Sequence, residues 1–262
     1  LKEKTPFFFL GKGSNLLIDD EGIDAVAVFL GKDFASCSVE GDVLICDAGA
    51  PLSKASYTAY HHGLTGLEFA WGIPGSVGGA AYMNAGAYGG EMKDIVLYCE
   101  HLDEEGKLHR VFGEELQYHY RHSYYTGRQL CIIRTAMQLK SGEREVIRAR
   151  MDHLMDRRTT NQPLEYPSGG SAFKRPEGAF AAALIEQCGL KGLSVGGAMV
   201  SQKHSGFIIN YKEATCKDVL GLIEKIKEEV LSQTGYHLEC EIMQLKRKGN
   251  TVEAFPAGNT NG

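Results

Sequence analysis

Apolar and polar positions alternate in short runs through the first part of the chain and recur at helical spacing in only a few places. Pro6 to Leu10 (PFFFL) predicts a buried strand, a short LLI run follows at Leu16, and Ala25 to Phe29 and Val43 to Asp47 predict two more strands. From Pro51 the periodicity changes: Leu52, Ala55, Ser56 and Ala59 share one helical face, and Gly63 ends it. Ile95 to Leu102 and Lys107 to Phe112 flank Asp103 to Gly106 (DEEG) and predict a hairpin, with a further strand at Leu130 to Leu139. A charged helix is expected from Glu143 to Arg158, its inner side built from Ile147, Met151, Leu154 and Met155.

Pro163 and Pro167 then mark a boundary, because closely spaced prolines interrupt both helix and sheet. Beyond it, Ala181, Leu184, Ile185 and Cys188 predict a short helix stopped by Gly189, and Gly206 to Asn210 a strand. Thr215 and Asp218 form the pattern of a capping box. The helix it opens has Val219, Leu222, Ile223, Ile226 and Val230 on one face and Gly235 at its end. Tyr236 to Leu245 alternates as a strand, with Leu238, Cys240 and Ile242 on one side and Glu239, Glu241 and Met243 on the other. The tail from Gly249 to Gly262 is expected to be disordered.

Seven glycines fall within the twenty residues from Trp71 to Gly90, where average usage would place ~1 or 2. Such density implies main chain that reaches positive φ or lies against a neighbour with no room for a Cβ. A planar, phosphorylated cofactor is one such neighbour; a pair of irregular turns is the plainer reading.

With 43% apolar residues and a net charge of -5, the composition is that of an ordinary globular protein. No basic surface is available for nucleic acid, so an anionic ligand must be held locally by backbone N–H groups and a few cations. The seven cysteines are scattered, with neither CxxC nor Cys/His ligand spacing, and no HExxH pattern is present. These features predict reduced thiols in the cytoplasm and no metal. There is no apolar run of membrane-spanning length and no export signal in the sequence.

Four segments carry candidate chemistry. Gly11 to Asn15 (GKGSN), directly after a strand, offers successive N–H groups and two side-chain donors, suited to phosphate oxygens or simply to a turn. It is not the dinucleotide fingerprint, because the third glycine is missing and a strand follows where that motif opens a helix. Ser168 to Lys174 (SGGSAFK) places Ser171 on glycine-flanked backbone with Lys174 three residues on. The SxxK spacing is that of an acylated serine, but the companion SDN triplet is absent and Pro176 opposes a helix through the pair. Arg121, in HYRHSYY, has the rigid donor fork of a carboxylate or phosphate clamp or of a surface arginine. Glu239 and Glu241 share a strand face, either as paired carboxylates or as two solvated acids.

Taken in order, GKGSN, GIPGSVGGAAYMNAGAYGGE, YRHS, QPLEYPSGGSAFKRP, LIEQCGLKG, VGGAMVSQKHSGFIIN and LECEI resemble the UDP-N-acetylenolpyruvoylglucosamine reductase family, in its shorter Gram-positive form. The resemblance runs from Phe7 to Leu245. It implies an α+β fold, with two α/β subdomains holding FAD as in vanillyl-alcohol oxidase and a C-terminal α+β domain covering the substrate. The expected division is residues 1–30 with 236–248, then 31–158, then 159–235, with 249–262 as the tail. The implied reaction passes hydride from NADPH through bound FAD to the enolpyruvyl ether of UDP-N-acetylglucosamine, in a cytoplasmic monomer of the cell-wall precursor pathway.

By match to the family motifs, Gly11, Gly13, Ser14 and Asn15 are expected at the flavin diphosphate. Gly75, Ser76, Gly78, Gly79, Asn84 and Gly86 are expected around the diphosphate and isoalloxazine. Ser171 corresponds to the proton donor, Arg121 to the group that steadies developing charge, and Glu241 to the acid that completes the site. Lys174 is assigned to an anionic part of substrate or nicotinamide cofactor. Four departures stand out: the segment that precedes PFFFL in relatives is absent, Met243 stands for a frequent arginine, Cys240 for proline and Gly170 for alanine. Without that leading segment, an uncovered apolar surface is expected beside the cofactor. The rival readings are another oxidase of the same fold and a flavin or UDP-sugar binder without activity.

Overall fold

Five strands follow one another early in the chain: β1 (Phe7–Leu10), β2 (Leu16–Ile18), β3 (Val26–Phe29), β4 (Cys37–Glu40) and β5 (Val43–Asp47). The computed structural model describes residues 5–248 and 251–258. Its described residues divide into two compact units, those of Leu1–Gly13 with Val26–Arg158 and those of Ser14–Ala25 with Thr159–Gly262.

In the first unit the alternation along β5 buries Leu44 and Cys46 completely, as a strand with one face on a core requires. β5 is the fourth strand of a five-stranded antiparallel sheet that runs Leu108–Phe112, Val96–Leu102, Cys131–Gln138, β5, β4. The hairpin expected at residues 103–106 joins the first two of these strands. Helix α1 (Leu52–His61) turns Leu52, Ala55, Ser56 and Ala59 inward, the face its spacing predicts. Helix α2 (Val77–Met83) occupies part of the glycine-rich run, where the sequence favours turns. Packing overrides propensity there: a Cβ on Gly78 would stand 2.6 Å from the Cβ of Ala48, so only glycine lets this helix seat on the main chain that follows β5. Val77 N–H and Gly78 N–H donate to the carbonyls of Ala50 and Ala48, both at 2.8 Å. β1 and β3 form a separate parallel pair, from which Val26 and Phe29 stand exposed.

Helix α3 (Arg144–Asn161) buries Ile147, Met151 and Leu154, with Met155 half-buried. The second unit holds α4 (Ala181–Gln187), α5 (Cys216–Thr234) and a four-stranded sheet in the order Ser168–Ser171, Phe207–Asn210, Ala198–Val200, Ser194–Val195. The capping box of α5 is complete: Asp218 N–H donates to Thr215 Oγ1 at 3.1 Å and Thr215 N–H to Asp218 Oδ2 at 3.0 Å. A second cap comes from far away in sequence, since the Asp20 carboxylate accepts from Cys216 N–H at 2.7 Å and Lys217 N–H at 3.2 Å. Leu222, Ile223, Ile226 and Val230 pack into a core shared with Leu238, Cys240 and Ile242.

Two expectations need correction. Residues Thr251–Pro256 of the supposed disordered tail form a strand, antiparallel to Met243–Lys248, which pairs in parallel with β2 on its other edge. The apolar residues Val252 and Ala257 are buried there, which supplies the driving force. Gly249, Asn250 and residues 259–262 lie outside the described residues. Of the strand expected over 236–245, only the part from Met243 onward is ladder-paired; before it a single bridge joins Cys240 to Phe173.

Candidate functional site

Strand β1 ends at Leu10, and the chain passes through Gly11 with no room for a side chain: a Cβ there would lie 2.7 Å from Ser76 Oγ. Gly13 follows at φ +67, a left-handed conformation that glycine adopts at no steric cost. Ser76 is the N-cap of α2, and its Oγ accepts from Gly79 N–H at 3.3 Å. Two glycine segments far apart in sequence therefore meet as bared main chain around one hydroxyl. Gly79 is exposed, with only Ser76 Oγ near its Cβ direction. Gly75 gives its carbonyl to Leu52 N–H at 3.1 Å.

Gly78 and Gly86 have close protein neighbours in the direction a Cβ would take. Gly78 packs on Ala48, and a Cβ on Gly86 would stand 2.7 Å from both Gly90 O and Glu91 Cβ. Asn84 is likewise committed inward. It is completely buried, left-handed at φ 48 as the C-cap of α2, and its amide donates to Glu91 Oε2 at 2.7 Å and His119 O at 3.0 Å. Its Oδ1 accepts from Lys93 N–H at 2.9 Å. Both amide hydrogens are used, so the side chain braces the turn carrying Arg121.

That turn is tight: His119 N–H donates to His122 O at 3.1 Å and His122 N–H to His119 O at 3.2 Å. Arg121 occupies its third position at φ 54, where a residue with a Cβ is strained. The guanidinium reaches Asn84 O at 3.4 Å and lies 5.0 Å over the Tyr120 ring. Neither Glu91 nor the Asn84 bracing is signalled by any sequence pattern other than adjacency to the glycine run.

In the second unit, Ser171 ends the strand Ser168–Ser171 and is exposed. Ser168 pairs with Ile209 and Ser171 with Phe207, so the first strand carries one residue more than its partner across Gly169 and Gly170. Gly170 at φ +78 makes this a β-bulge, a device that re-aims the side chain after it. The following residues run beside the acid-bearing segment: Glu241 N–H donates to Ala172 O and Lys174 N–H to Glu239 O, both at 2.8 Å. Glu241 is buried, whereas Glu239 is exposed and meets the Lys174 ammonium as an ion pair. The two glutamates thus have different environments, and Lys174 already has an anionic partner within the chain.

Asn15, expected at a diphosphate, also holds the acid's backbone. Its Nδ2 donates to Glu241 O at 3.1 Å and its own carbonyl accepts from Met243 N–H at 3.0 Å. Ser14 shares its turn. Nearby, half-buried His204 accepts from Gly206 N–H at Nδ1, 3.1 Å, and burial holds its imidazolium below the usual range. Among the described residues no group of three or more His, Cys, Asp or Glu could hold a metal, and no helix is long and apolar enough to cross a membrane.

Comparison with known proteins matches these regions. Residues 1–111 fit the family model described as FAD binding domain, and residues 162–245 that of the UDP-N-acetylenolpyruvoylglucosamine reductase C-terminal domain. A UDP-N-acetylenolpyruvoylglucosamine reductase of Caldanaerobacter subterraneus subsp. tengcongensis is 49% identical over 92% of this chain and 80% of its own length. One of Syntrophomonas wolfei is 46% identical over 92% and 81%. The crystal structure of UDP-N-acetylenolpyruvylglucosamine reductase from Thermus caldophilus superposes with a TM-score of 0.80 at 38% identity, covering 92% of this chain and 85% of that one. With glycine-bared main chain in one unit, a bulge-mounted serine beside a buried glutamate in the other, and this extent of identity, the chain belongs to the UDP-N-acetylenolpyruvoylglucosamine reductase family.

Proposed function

We propose that the chain reduces UDP-N-acetylglucosamine enolpyruvate to UDP-N-acetylmuramate with electrons from NADPH and FAD as its cofactor, a step of peptidoglycan precursor synthesis. The observation that carries the reading is the close approach of the Gly11 main chain to Ser76, where a Cβ would stand 2.7 Å from the Ser76 Oγ. It leaves the main chain of the Gly11–Asn15 turn with no Cβ in the way at Gly11, which fits a diphosphate-bearing cofactor. Gly11 and Gly13 would hold FAD through main chain, Ser14 and Asn15 through the same turn, and Ser76 and Gly79 by letting the cofactor approach the start of α2 with no Cβ at Gly79 in the way. When bound, FAD supplies two-electron transfer between NADPH and the enolpyruvyl double bond.

The chain's own groups handle charge and proton. Adding hydride to an enol ether next to a carboxylate puts negative charge on the adjacent carbon, which needs a cation and then a proton. Arg121 is assigned the charge; its guanidinium is held against Asn84 O and the Tyr120 ring before substrate arrives, so less ordering entropy is lost on binding. Ser171 Oγ is assigned the proton. A neutral hydroxyl is a weak acid, yet a carbanion is a far stronger base, so a positioned serine suffices. Glu241, buried and with its main chain fixed by Asn15 and Ala172, is the polarising partner. Lys174 is assigned to an anionic portion of substrate, in exchange for Glu239. The cytoplasm is the proposed site of action, in keeping with seven cysteines that show neither paired nor metal-ligand spacing in the sequence.

Product analysis tests the reading. Purified protein is expected to be yellow and to consume NADPH only when the enolpyruvyl nucleotide is present, yielding UDP-N-acetylmuramate. Substrate-independent NADPH consumption with stoichiometric peroxide would make it an oxidase of the same fold.

A further inference from the structure

Cys37 and Cys46 lie directly opposite each other on β4 and β5, with their sulfurs 3.2 Å apart. The neighbouring ladder bond runs from Asp47 N–H to Ser36 O at 2.9 Å, so the pair occupies a non-hydrogen-bonded position of the antiparallel ladder. Side chains approach most closely at such positions. Bond formation requires the sulfurs to close by about an ångström, to ~2.05 Å. β4 is the edge strand of its sheet, and Cys37 is half-buried while Cys46 is fully enclosed.

We propose that Cys37 and Cys46 form an oxidisable dithiol, a modification site that hydroperoxide-class oxidants convert reversibly to a disulfide. Cys37 is the attacking group. The hydrogen bond from Cys46 holds its thiol below the ordinary range, with the Lys54 ammonium acting in the same direction and partial burial opposing. The same contact, joined by burial, pushes Cys46 up, which keeps it protonated as the resolving thiol. The other cysteines lack this arrangement: burial pushes Cys99, Cys216 and Cys240 up to about 11, and raises Cys131 and Cys188 as well.

The chemistry balances in two steps. The Cys37 thiolate attacks one peroxide oxygen, breaking the O–O bond to give a sulfenic acid and hydroxide. Cys46 sulfur then displaces the sulfenic oxygen, forming the S–S bond, and its proton leaves with the oxygens as water. Two electrons pass from the sulfurs to the peroxide, and two thiols plus one hydrogen peroxide give one disulfide plus two waters. The product would staple β4 to β5, whose continuation supplies the carbonyls of Ala48 and Ala50 to the first turn of α2.

The test uses the intact holoprotein, treated with hydrogen peroxide, quenched with catalase, alkylated and digested for mass spectrometry. The expected product joins the Cys37 and Cys46 peptides with a loss of about 2 Da and forms at least ~10-fold faster than any other cysteine is oxidised. Dithiothreitol is expected to reverse it. In Cys46→Ser, Cys37 is expected to stop at a sulfenic acid trapped by dimedone, and in Cys37→Ser, Cys46 to stay a free thiol. Wild-type protein in which both residues remain alkylatable while Cys188 or another cysteine oxidises would overturn the proposal, and this arm requires no variant to fold. Persistence of Cys37 sulfenic acid beside a free Cys46 in the wild type would overturn it equally.

Discussion

The two units carry their candidate function in opposite ways. In the first, what matters at Gly11, Gly13 and Gly79 is the side chain that is missing, and at Arg121 a backbone angle that its side chain resists. In the second, Ser171 and Glu241 are ordinary side chains aimed by a bulge and a pair of main-chain hydrogen bonds. Cofactor binding by main chain tolerates changes of side-chain chemistry but no added volume. Proton delivery by Oγ tolerates volume but no change of chemistry.

The largest effect expected from this contrast falls on Ser171. Ser171→Ala should slow substrate-dependent reoxidation by ~10²- to 10⁴-fold while leaving NADPH-driven flavin reduction near the wild-type rate. Stopped-flow measurement of the two halves separately decides it, and equal loss in both removes Ser171 from the proton step.

Steric changes at the glycines should behave differently from each other. Gly78→Ala forces a Cβ against Ala48 backbone and side chain, neither of which can yield, and is expected to cost about 1–3 kcal/mol in urea unfolding. Gly11→Ala meets a hydroxyl that can rotate, at the expense of the cap on Gly79 N–H. That loss of the cap should cost about 1 kcal/mol of apoprotein stability, read from urea midpoints. On a Ser76→Ala background the added cost of Gly11→Ala should nearly vanish, since the blocking oxygen is gone. Urea midpoints of the four proteins of this cycle measure the coupling.

A smaller effect separates strain from chemistry at Arg121. Arg121→Gly relieves the left-handed backbone but frees the unfolded chain, two effects of similar size. Stability should therefore shift by less than ~1 kcal/mol while kcat for the enolpyruvyl nucleotide falls, read from urea midpoints beside steady-state rates.

The smallest concerns His204. Its folded-state pKa lies below the unfolded value of 6.5, so the stability it contributes is complete above 6.5 and is lost as pH falls through the folded pKa. Urea midpoints should decline below pH 6.5, and His204→Gln should flatten that decline.

Much of this was legible in the residue pattern because burial follows periodicity. The inward faces of α1 and α5, and both ends of α5, are where the spacing and the Thr215 to Gly235 signals put them. The glycine cluster announced bared main chain, but whether a given glycine faces a ligand or a neighbouring strand depends on residues such as Ala48 that lie far away in sequence. That is why α2, with poor intrinsic propensity, escaped prediction. The strand Thr251–Pro256 is hard to read from its residues, because a polar, glycine- and asparagine-rich end of the sequence has the composition of a tail. Ser171 and Glu241 carried no local signature strong enough to stand without the family resemblance, because a serine after two glycines and an acid in an alternating run are common in any soluble protein. The committed amide of Asn84 could not be foreseen at all, since hydrogen-bond partners are set by the tertiary fold.

The Asp20 carboxylate at the start of α5 bears on how the molecule can be dissected. Cutting the polypeptide at residue 159 to produce the later portion alone would expose two amide donors at that helix and leave Met243–Lys248 without β2 along one edge. A workable excised domain must instead carry Ser14–Ala25 with it, grafted through a new connection, because the folding unit draws on two separated stretches of the chain rather than on one contiguous stretch.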